Sequence, residues 1–256
     1  IVQAVLKILQ VFLLKIVPVF FIVGIVFLSY FGIRNFLYAD SGFVIKNIRL
    51  VVDYPYPQEN VLGKLSYLTG ENIFTIELQK VADILEADPR IQNAQVMRQF
   101  PDTLILDLSI RHDFVYVTFP DNNLYYLLDR DGYVLAIERL QQIKESLLTI
   151  EDISSNRRAI DLGTQYFGGS IEQAFFVVEY LQKHRFASRL GIKKITVDHQ
   201  HSLSLITHDN LEIKLGTTRL VDSLAKLHHV EQILSNERRN KFKYIDLRFD
   251  DVITKK

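Results

Sequence analysis

The sequence predicts an α+β protein with one membrane-spanning helix followed by a mixed region rich in β-strands. Three observations support this prediction. An uncharged apolar stretch occupies residues 16–33. Residues 43–112 alternate between strand and helix patterns in the order β-α-α-β-β. Residues 113–256 carry short strands of alternating polarity with helical patterns between them, and end in a strand that we expect at the edge of its sheet.

The uncharged stretch, residues 16–33, is long enough to cross a bilayer as a helix. A helix of this length spans roughly 27 Å, close to the thickness of the hydrocarbon layer. Pro18 lies in its first turn, where a missing N–H costs little. A cleaved signal peptide would have a shorter apolar core and a small-x-small site, which Leu37-Tyr38-Ala39 lacks. A buried core helix would keep a polar face. We therefore expect a transmembrane helix.

The orientation of this helix is predicted from the length of chain on each side. The flanking charges, Lys7 and Lys15 before it and Arg34 after it, do not decide the orientation. Residues 34–256 form the bulk of the chain and follow only a short N-terminal segment. We expect residues 1–15 to be a cytoplasmic tail, truncated because the chain begins with Ile rather than Met, and the main domains to lie outside the cytoplasm.

Composition argues against several classes of function. All 30 acidic residues follow the span, and so do all of the 30 basic residues except Lys7 and Lys15, which gives this part a formal net charge of −2. A nearly neutral domain without a basic stripe argues against nucleic-acid binding. The absence of cysteine excludes disulfides, thiolate zinc sites and a cysteine nucleophile. No G-x-S-x-G, H-E-x-x-H or phosphate-binding glycine motif is present. We therefore expect no catalysis, cofactor or metal.

The region 43–112 contains five predicted elements with polar or proline-containing connections. These elements are a strand at 43–52, a helix at 57–68, a helix capped by Thr75 that ends at Asp88-Pro89, and strands at 91–98 and 103–111. We interpret residues 34–42 as a connector from the span. In the last strand, Leu104, Leu106, Leu108 and Ile110 alternate with polar residues and are predicted to face the core.

The region 113–256 begins with a predicted hairpin and ends with a strand. The predicted strands are 115–119, 124–129, 133–137, 192–197, 203–207, 211–215 and 244–249. Asp131-Gly132 predicts a hairpin turn. Ser170 and Gln173 form a candidate capping box for one helix, and a second helix is predicted from Thr217 or Thr218 to Leu234. Residues 138–170 have too weak a pattern for boundaries, and 238–241 are predicted to form a charged loop.

Several segments carry a family resemblance. They are FVIKNI from Phe43, GENIF from Gly70, DPRIQNAQVMRQFPDTLILDL from Asp88, LLDRDGYVL from Leu127, HDNLEIKLG from His208 and YIDLRF from Tyr244. The β-α-α-β-β order resembles a POTRA domain, a small extracytoplasmic interaction module. The segments themselves are similar to the FtsQ/DivIB family of bacterial cell-division proteins. Pro89, Ala94, Val96, Arg98, Pro101 and Leu104 stand where the family pattern has them.

The resemblance implies a non-catalytic scaffold of the division machinery that helps to control septal wall synthesis. It divides the chain after the span into a POTRA domain at 43–112 and a β-domain at 113–256. It also implies a single-pass protein of the bacterial inner membrane, enriched at the septum, with its N-terminus in the cytoplasm. The implied partners are FtsB- and FtsL-like small coiled-coil proteins at the C-terminal edge, and other division proteins through POTRA and the span.

Two other classes of function remain as alternatives. A POTRA-bearing periplasmic transport or envelope-assembly factor would usually place POTRA units before a membrane barrel, and the chain after Arg111 is too short and mixed for one. An anchored periplasmic enzyme would need converging acid, base or metal groups. The two polar clusters that could supply such groups, Asp129–Gly132 and His199–His201, are interpreted as turns.

The predicted partner-binding site is the C-terminal edge of the chain. A terminal strand often has one neighbour, so its outer N–H and C=O groups can pair with a strand from a partner. Phe249 is the expected aromatic anchor, and Arg248 is expected to meet an acidic partner residue. Ile245 and Leu247 are expected to fill the core. The predicted site residues are Tyr244, Arg248, Phe249, Asp250, Asp251, Val252 and Ile253.

Overall fold

A computed structural model describes residues 12, 17–120, 122–154, 159–236 and 242–255. The predicted tail, except for Phe12, and the predicted charged loop at 238–241 lie outside these ranges. The chain forms two compact units. The first consists of residues 1–85 with 93–109, and the second of residues 86–92 with 110–256. The architecture is α+β, as predicted.

The apolar stretch forms one helix, α1, Val17–Ala39. It is 23 residues long, has a mean hydropathy of 2.0 in its most apolar window, and none of its residues is buried. The core-helix alternative is therefore wrong.

The predicted connector at 34–42 is also wrong over 34–39, because these residues contain neither proline nor glycine and continue the helix. A 3-10 turn, Ser41–Phe43, follows α1, and the Asp40 side chain accepts a hydrogen bond from Gly42 N at 2.7 Å.

The first unit contains the predicted β-α-α-β-β order. Its elements are β1 Asn47–Val52, α2 Gln58–Lys64, a 3-10 turn Ser66–Leu68, α3 Leu78–Glu86, β2 Ile91–Gln99 and β3 Thr103–Ile110. The three strands form a sheet in the order β1-β3-β2, with β1 parallel to β3. Leu104, Leu106 and Leu108 of β3 are at most 1% exposed, which confirms their predicted inward face.

Two predicted element starts in this unit are wrong. The strand predicted from Phe43 begins at Asn47, because Phe43 ends a 3-10 turn and Val44 makes only an isolated bridge with Asn72. Thr75 does not cap α3. Its hydroxyl donates instead to Asn72 O at 2.7 Å, so the chain turns once more before the helix begins at Leu78.

Arg98 holds this turn in place. Its Nε donates to Ile73 O at 2.8 Å, and its Nη2 donates to Ile76 O at 2.7 Å. Both bonds join the guanidinium of β2 to the backbone that precedes α3. Charged donors make stronger hydrogen bonds than neutral ones, so Arg98 fixes the loop between Gly70 and Leu78 against the sheet.

The second unit is built on a large mixed sheet. Its strands are β4 Val115–Thr118, β5 Leu124–Leu128, β6 Val134–Arg139, β7 Thr149–Asp152, β8 Ile192–Val197, β9 Leu203–Thr207, β10 Glu212–Leu215, β11 Tyr244–Asp246 and β12 Ile253–Lys255. Its helices are α4 Gly169–Lys183, α5 Phe186–Leu190, α6 Leu220–Ala225 and α7 Leu227–Asn236, and a 3-10 turn spans Leu140–Gln142. The described strands lie in the order β12-β11-β10-β9-β8-β7-β4-β5-β6.

The strand pairing in this unit confirms two predictions and adds a strand that the sequence does not predict. The hairpin at Asp131-Gly132 is confirmed by the antiparallel pair β5–β6, and β8, β9 and β10 form the predicted meander. Strand β7 was not predicted. It pairs in parallel with both β4 and β8, so its position depends on distant segments rather than on a local turn.

One predicted helix start and the continuity of one predicted helix are wrong in this unit. The N-cap of α4 is Gly168 rather than Ser170, because Gly168 and Gly169 both have positive φ and start the helix before the predicted capping box. The helix predicted up to Leu234 is two helices, α6 and α7, which meet at Lys226. Their apolar stripe is nevertheless buried, as shown by Leu224, Leu227 and Val230 at 0% exposure.

Both polar clusters are turns, as predicted. The Asp129 carboxylate accepts the backbone N–H of Asp131 at 3.0 Å and of Tyr133 at 2.8 Å, and pairs with Arg111 at 2.7 Å. The Asp198 carboxylate accepts Gln200 N and Ser202 N, both at 2.8 Å, and so closes the turn that carries His201. These carboxylate oxygens are therefore used to shape backbone turns.

Candidate partner-binding edge

The C-terminal residues form the end of the large sheet, but with a different arrangement from the predicted one. The predicted strand 244–249 is only three residues long, and β11 lies between β10 and β12. It pairs in parallel with β10 and antiparallel with β12, in the register Tyr244 with Lys255 and Asp246 with Ile253. Among the strands that the structure describes, β12 is the end of this sheet, so the outer side of β12 replaces that of β11 as the candidate edge.

The strand ends at Asp246 because this side chain turns the backbone. Its Oδ1 accepts Arg248 N at 3.0 Å, which curls the chain away from the ladder. The Arg248 guanidinium also binds the Asp246 carboxylate with two nitrogens, Nε to Oδ1 at 3.0 Å and Nη2 to Oδ2 at 2.7 Å. Arg248, predicted to meet an acidic partner residue, is thus already paired within the chain.

The Asp246–Arg248 pair is reflected in the pKa values of both groups. Burial acts to raise the pKa of the Asp246 carboxyl, but the hydrogen bonds and charge of Arg248 outweigh it and hold this pKa below its ordinary value of 3.8. The hydrogen bond to Asp246 raises the pKa of Arg248. Both groups are therefore charged across the physiological pH range, and the turn after β11 is held by a bidentate ion pair.

The loop between β11 and β12 is also fixed to the region of α6. Ser223 Oγ donates to Leu247 O at 3.0 Å, and Lys226 Nζ donates to Phe249 O. Arg219 Nη1 forms an ion pair with Asp250 Oδ1. These contacts join the loop to the region of α6 through the carbonyl groups of Leu247 and Phe249 and the side chain of Asp250.

The predicted site residues differ in how much of each is available to a partner. Phe249 is 54% exposed and Ile253 is 45% exposed. Asp250 and Asp251 are exposed, whereas Val252 packs against the hydrophobic core. Tyr244 is half-buried, with Lys214 Nζ 4.8 Å from its ring centre. The expected core residues Ile245 and Leu247 are both 0% exposed, which confirms their assignment to the core.

Sequence reasoning missed the residues that complete this edge. Thr254 and Lys255 belong to β12 and are exposed. Arg219, Ser223 and Lys226 hold the loop from helices that precede it by more than 20 residues. No sequence pattern links Arg219 to Asp250, which lies 31 residues further along the chain.

The geometry of this edge suits the addition of a partner strand better than the catalytic conversion of a small molecule. An unpaired strand side offers backbone donors and acceptors in a row, and exposed side chains beside it supply specificity. Phe249, in the loop before β12, and Ile253, in β12 itself, expose apolar surface. Within the described ranges, no group of three or more His, Cys, Asp or Glu residues comes close enough to hold a metal ion.

Comparison with known protein families identifies the chain. The model of the C-terminal region of the cell division protein FtsQ/DivIB matches residues 118–248, which is more than half of the chain. The chain belongs to the FtsQ/DivIB family. The model of the FtsQ-type POTRA domain matches residues 43–109, the region of the three-stranded sheet. Membership in the FtsQ/DivIB family indicates a role in cell division, and together with α1 it indicates single-pass membrane anchoring.

Individual FtsQ/DivIB proteins are similar to this chain over most of its length. The cell division protein FtsQ of Syntrophotalea carbinolica is 25% identical over 77% of this chain and 67% of its own length. The cell division protein DivIB of Clostridium acetobutylicum is 24% identical over 87% of this chain and 81% of its own length. The FtsQ of Geotalea daltonii is 22% identical over 88% and 80%.

The FtsQ/DivIB model ends inside the candidate edge. Its last matched residue is Arg248, so β11 lies inside the matched range, and Phe249, the rest of the loop and β12 lie beyond it. The Asp246–Arg248 turn therefore lies within the part of the chain that the family model matches, whereas the edge strand β12 lies beyond it.

Proposed function

We propose that this protein is a non-catalytic, membrane-anchored scaffold of the bacterial division machinery that helps to control septal wall synthesis. Its partners in this proposal are FtsB- and FtsL-like small coiled-coil membrane proteins. The observation that supports it best is that β12 is the end of the large sheet among the described strands, and that the loop leading into it carries the exposed ring of Phe249. A strand of a partner adds there by backbone hydrogen bonds, and Phe249 supplies an apolar anchor.

The electrostatics of the edge favour a partner segment with both apolar and charged positions. Asp250 is paired with Arg219, and Arg248 is paired with Asp246, so neither is a strong free charge. Asp251 and Lys255 are exposed on the two sides of Ile253. A partner strand with an apolar residue between two charged ones would match this arrangement, since opposite charges across neighbouring strands are stabilising.

Co-purification from the native membrane tests the proposed function. We expect the tagged full-length protein to retain small single-pass proteins with heptad repeats, identified by mass spectrometry, and the untagged protein to retain none. Recovery of outer-membrane assembly or transport components in their place would favour the POTRA-bearing envelope factor. Recovery of neither class from dividing cells would contradict the scaffold proposal.

The proposed location is the bacterial inner membrane, with enrichment at the division septum. In this proposal, residues 1–15 are a cytoplasmic tail, 16–33 cross the membrane, and a POTRA domain at 43–112 and a β-domain at 113–256 lie in the periplasm. Other division proteins contact the POTRA domain and the span. The length of α1 and the mass of the chain that follows it support this arrangement.

A reporter fusion tests the proposed orientation. We expect a reporter that is active only outside the cytoplasm to give signal when fused after Lys256. The same reporter placed before the span should stay silent, because the proposed tail is cytoplasmic. Signal from the N-terminal fusion and silence from the C-terminal one would reverse the topology.

A further inference from the structure

The end of α1 belongs to a cluster of five aromatic rings, three of them exposed and two half-buried. We call Phe36, Tyr38, Phe43, Phe74 and Phe100 the aromatic cluster. Phe43 lies 6.1 Å from Phe36 and 5.2 Å from Phe74, between ring centres. Phe74 also lies 6.3 Å from Tyr38 and stacks on Phe100 at 5.2 Å. The rings therefore form one continuous surface that joins α1 to the three-stranded sheet.

This surface is open in the structure although it is aromatic. Phe36 is 58% exposed, Phe100 is 57% exposed and Tyr38 is 49% exposed. These exposed rings are joined through the half-buried Phe43 and Phe74 into one patch. Such a patch indicates a surface that is covered in use, because isolated exposed apolar residues are common but contiguous patches are not. The question is therefore what covers the cluster.

The length of α1 determines the depth in the bilayer at which the aromatic cluster lies. Helix α1 is about 35 Å long, whereas the hydrocarbon layer is about 30 Å thick. Its uncharged part ends at Ile33, and Arg34 is the first charged residue. The remaining helix, Arg34–Ala39, rises about 9 Å and carries Phe36 and Tyr38. These two rings therefore lie at the boundary of the headgroups, where aromatic residues are enriched in membrane proteins.

Hydrogen bonds hold the backbone that carries Phe43 and Phe74 beside the end of α1, at the same depth as Phe36 and Tyr38. Asn72 Nδ2 donates to Leu37 O at 2.9 Å and to Tyr38 O at 3.2 Å, so this side chain caps the last turn of α1. Asn72 Oδ1 accepts Phe74 N at 2.9 Å, and Ile73 N donates to Phe43 O at 2.8 Å. The backbone that carries Phe43 and Phe74 is thus tied directly to the end of the span.

Basic side chains border the aromatic cluster. Arg34 lies with its guanidinium carbon 5.8 Å from the centre of the Tyr38 ring. Lys46, whose side chain is 61% exposed, forms an ion pair with Asp102 at 3.4 Å, two residues after Phe100. Aromatic rings with basic residues beside them match the chemistry of a lipid interface, where rings lie among the headgroups and cations meet the phosphates.

We propose that the aromatic cluster inserts into the headgroup region of the same bilayer that α1 spans, and so seats the first unit on the membrane. Continuity with the span identifies the bilayer as the occupant, because Asn72 and the backbone bonds bring the rings to the depth at which the helix leaves the hydrocarbon. The cluster then restricts the orientation of the first unit, which a flexible linker after α1 would not.

Tryptophan fluorescence tests this proposal, since the chain contains no tryptophan. Phe100→Trp places one fluorophore in the cluster, and Phe74→Trp provides a second position should the first variant not fold. The full-length chain is reconstituted into phosphatidylcholine–phosphatidylglycerol vesicles, with or without lipids brominated near the headgroup end of the acyl chains. We expect the bromines to reduce emission roughly twofold, because an interfacial ring lies about 5–10 Å into the headgroup–acyl boundary.

Tyr54→Trp is the matched control in the same unit. Tyr54 is 45% exposed and follows the far end of β1, about 20 Å along the strand from the cluster. Its emission should be red-shifted and insensitive to the bromines. Emission from Phe100→Trp and Phe74→Trp that is quenched no more than that of Tyr54→Trp would overturn the proposal and would favour a protein partner as the cover of the cluster. This test does not depend on the proposed division partners.

Discussion

Replacing Leu106 by Asp should unfold the first unit. Leu106 is 0% exposed in β3, the central strand of the three-stranded sheet, opposite Leu50 of β1. The substitution removes a buried apolar side chain and introduces a carboxylate without a partner, which together cost several kcal/mol. A loss of about 4 kcal/mol or more is a large fraction of the stability of a domain. Leu108→Asp should have a similar effect.

Hydrogen exchange of the full-length chain, followed by mass spectrometry, measures this effect locally. Peptides covering β1 and β3 should lose protection in Leu106→Asp, because opening of the unit then requires little free energy. Ile84→Asp is the matched control, since it makes the same kind of change on α3 at a side chain that is 40% exposed. Equal protection of β3 in wild type and in both Leu106→Asp and Leu108→Asp would contradict the strand register.

The first unit could be predicted largely from sequence because its signals are local. The alternation of Leu104, Leu106 and Leu108 identifies the inward face of β3, and Asp88-Pro89 ends the preceding helix. The error at the end of α1 involves a side chain far along the chain. Asn72 caps α1 from 34 residues away, so the continuation of the helix through Ala39 had no local signal beyond the absence of breakers.

The second unit was harder to predict because its sheet mixes parallel and antiparallel pairs. Hairpins such as β5–β6 follow from a turn such as Asp131-Gly132, whereas β7 is placed by parallel pairing with β4 and β8. Parallel pairing requires a long connection and leaves no short turn signature. Strand β7 is also only four residues long, too short for a convincing alternation pattern.

The candidate edge shows the same division between local and distant causes. The family motif around YIDLRF led to the end of the sheet, and the alternation of Ile245 and Leu247 indicated the core. The sequence did not indicate that Arg248 would bind Asp246 with two nitrogens, since side chains two residues apart on one face of an extended strand are separated by about 7 Å along the strand. The strand bends instead, and this bend makes β12 the edge.

Phe249→Ala should weaken partner binding without loss of fold. The ring is 54% exposed, so removing it costs little folding free energy, while aromatic residues at the centre of an interface often contribute more than 1 kcal/mol to binding. We expect capture of the small coiled-coil partner to weaken at least tenfold, which corresponds to about 1.4 kcal/mol. Phe176→Ala, which removes a ring that is 45% exposed on α4, is the matched control and should bind as wild type does.

A second variant tests the strand itself rather than the aromatic ring. Thr254 is exposed in the middle of β12 and pairs with Ile245, so Thr254→Pro removes a backbone donor and disrupts the edge. Val252 is less suitable, because it packs against the core. If the partner adds as a strand, Thr254→Pro should reduce its capture at least as much as Phe249→Ala, while the melting temperature changes by only a few degrees.

Wild-type capture by both variants, each with a normal melting curve, would place the partner site elsewhere on the protein. If only Phe249→Ala reduced capture, the role of Phe249 as an anchor would be supported, and strand addition at β12 would be excluded.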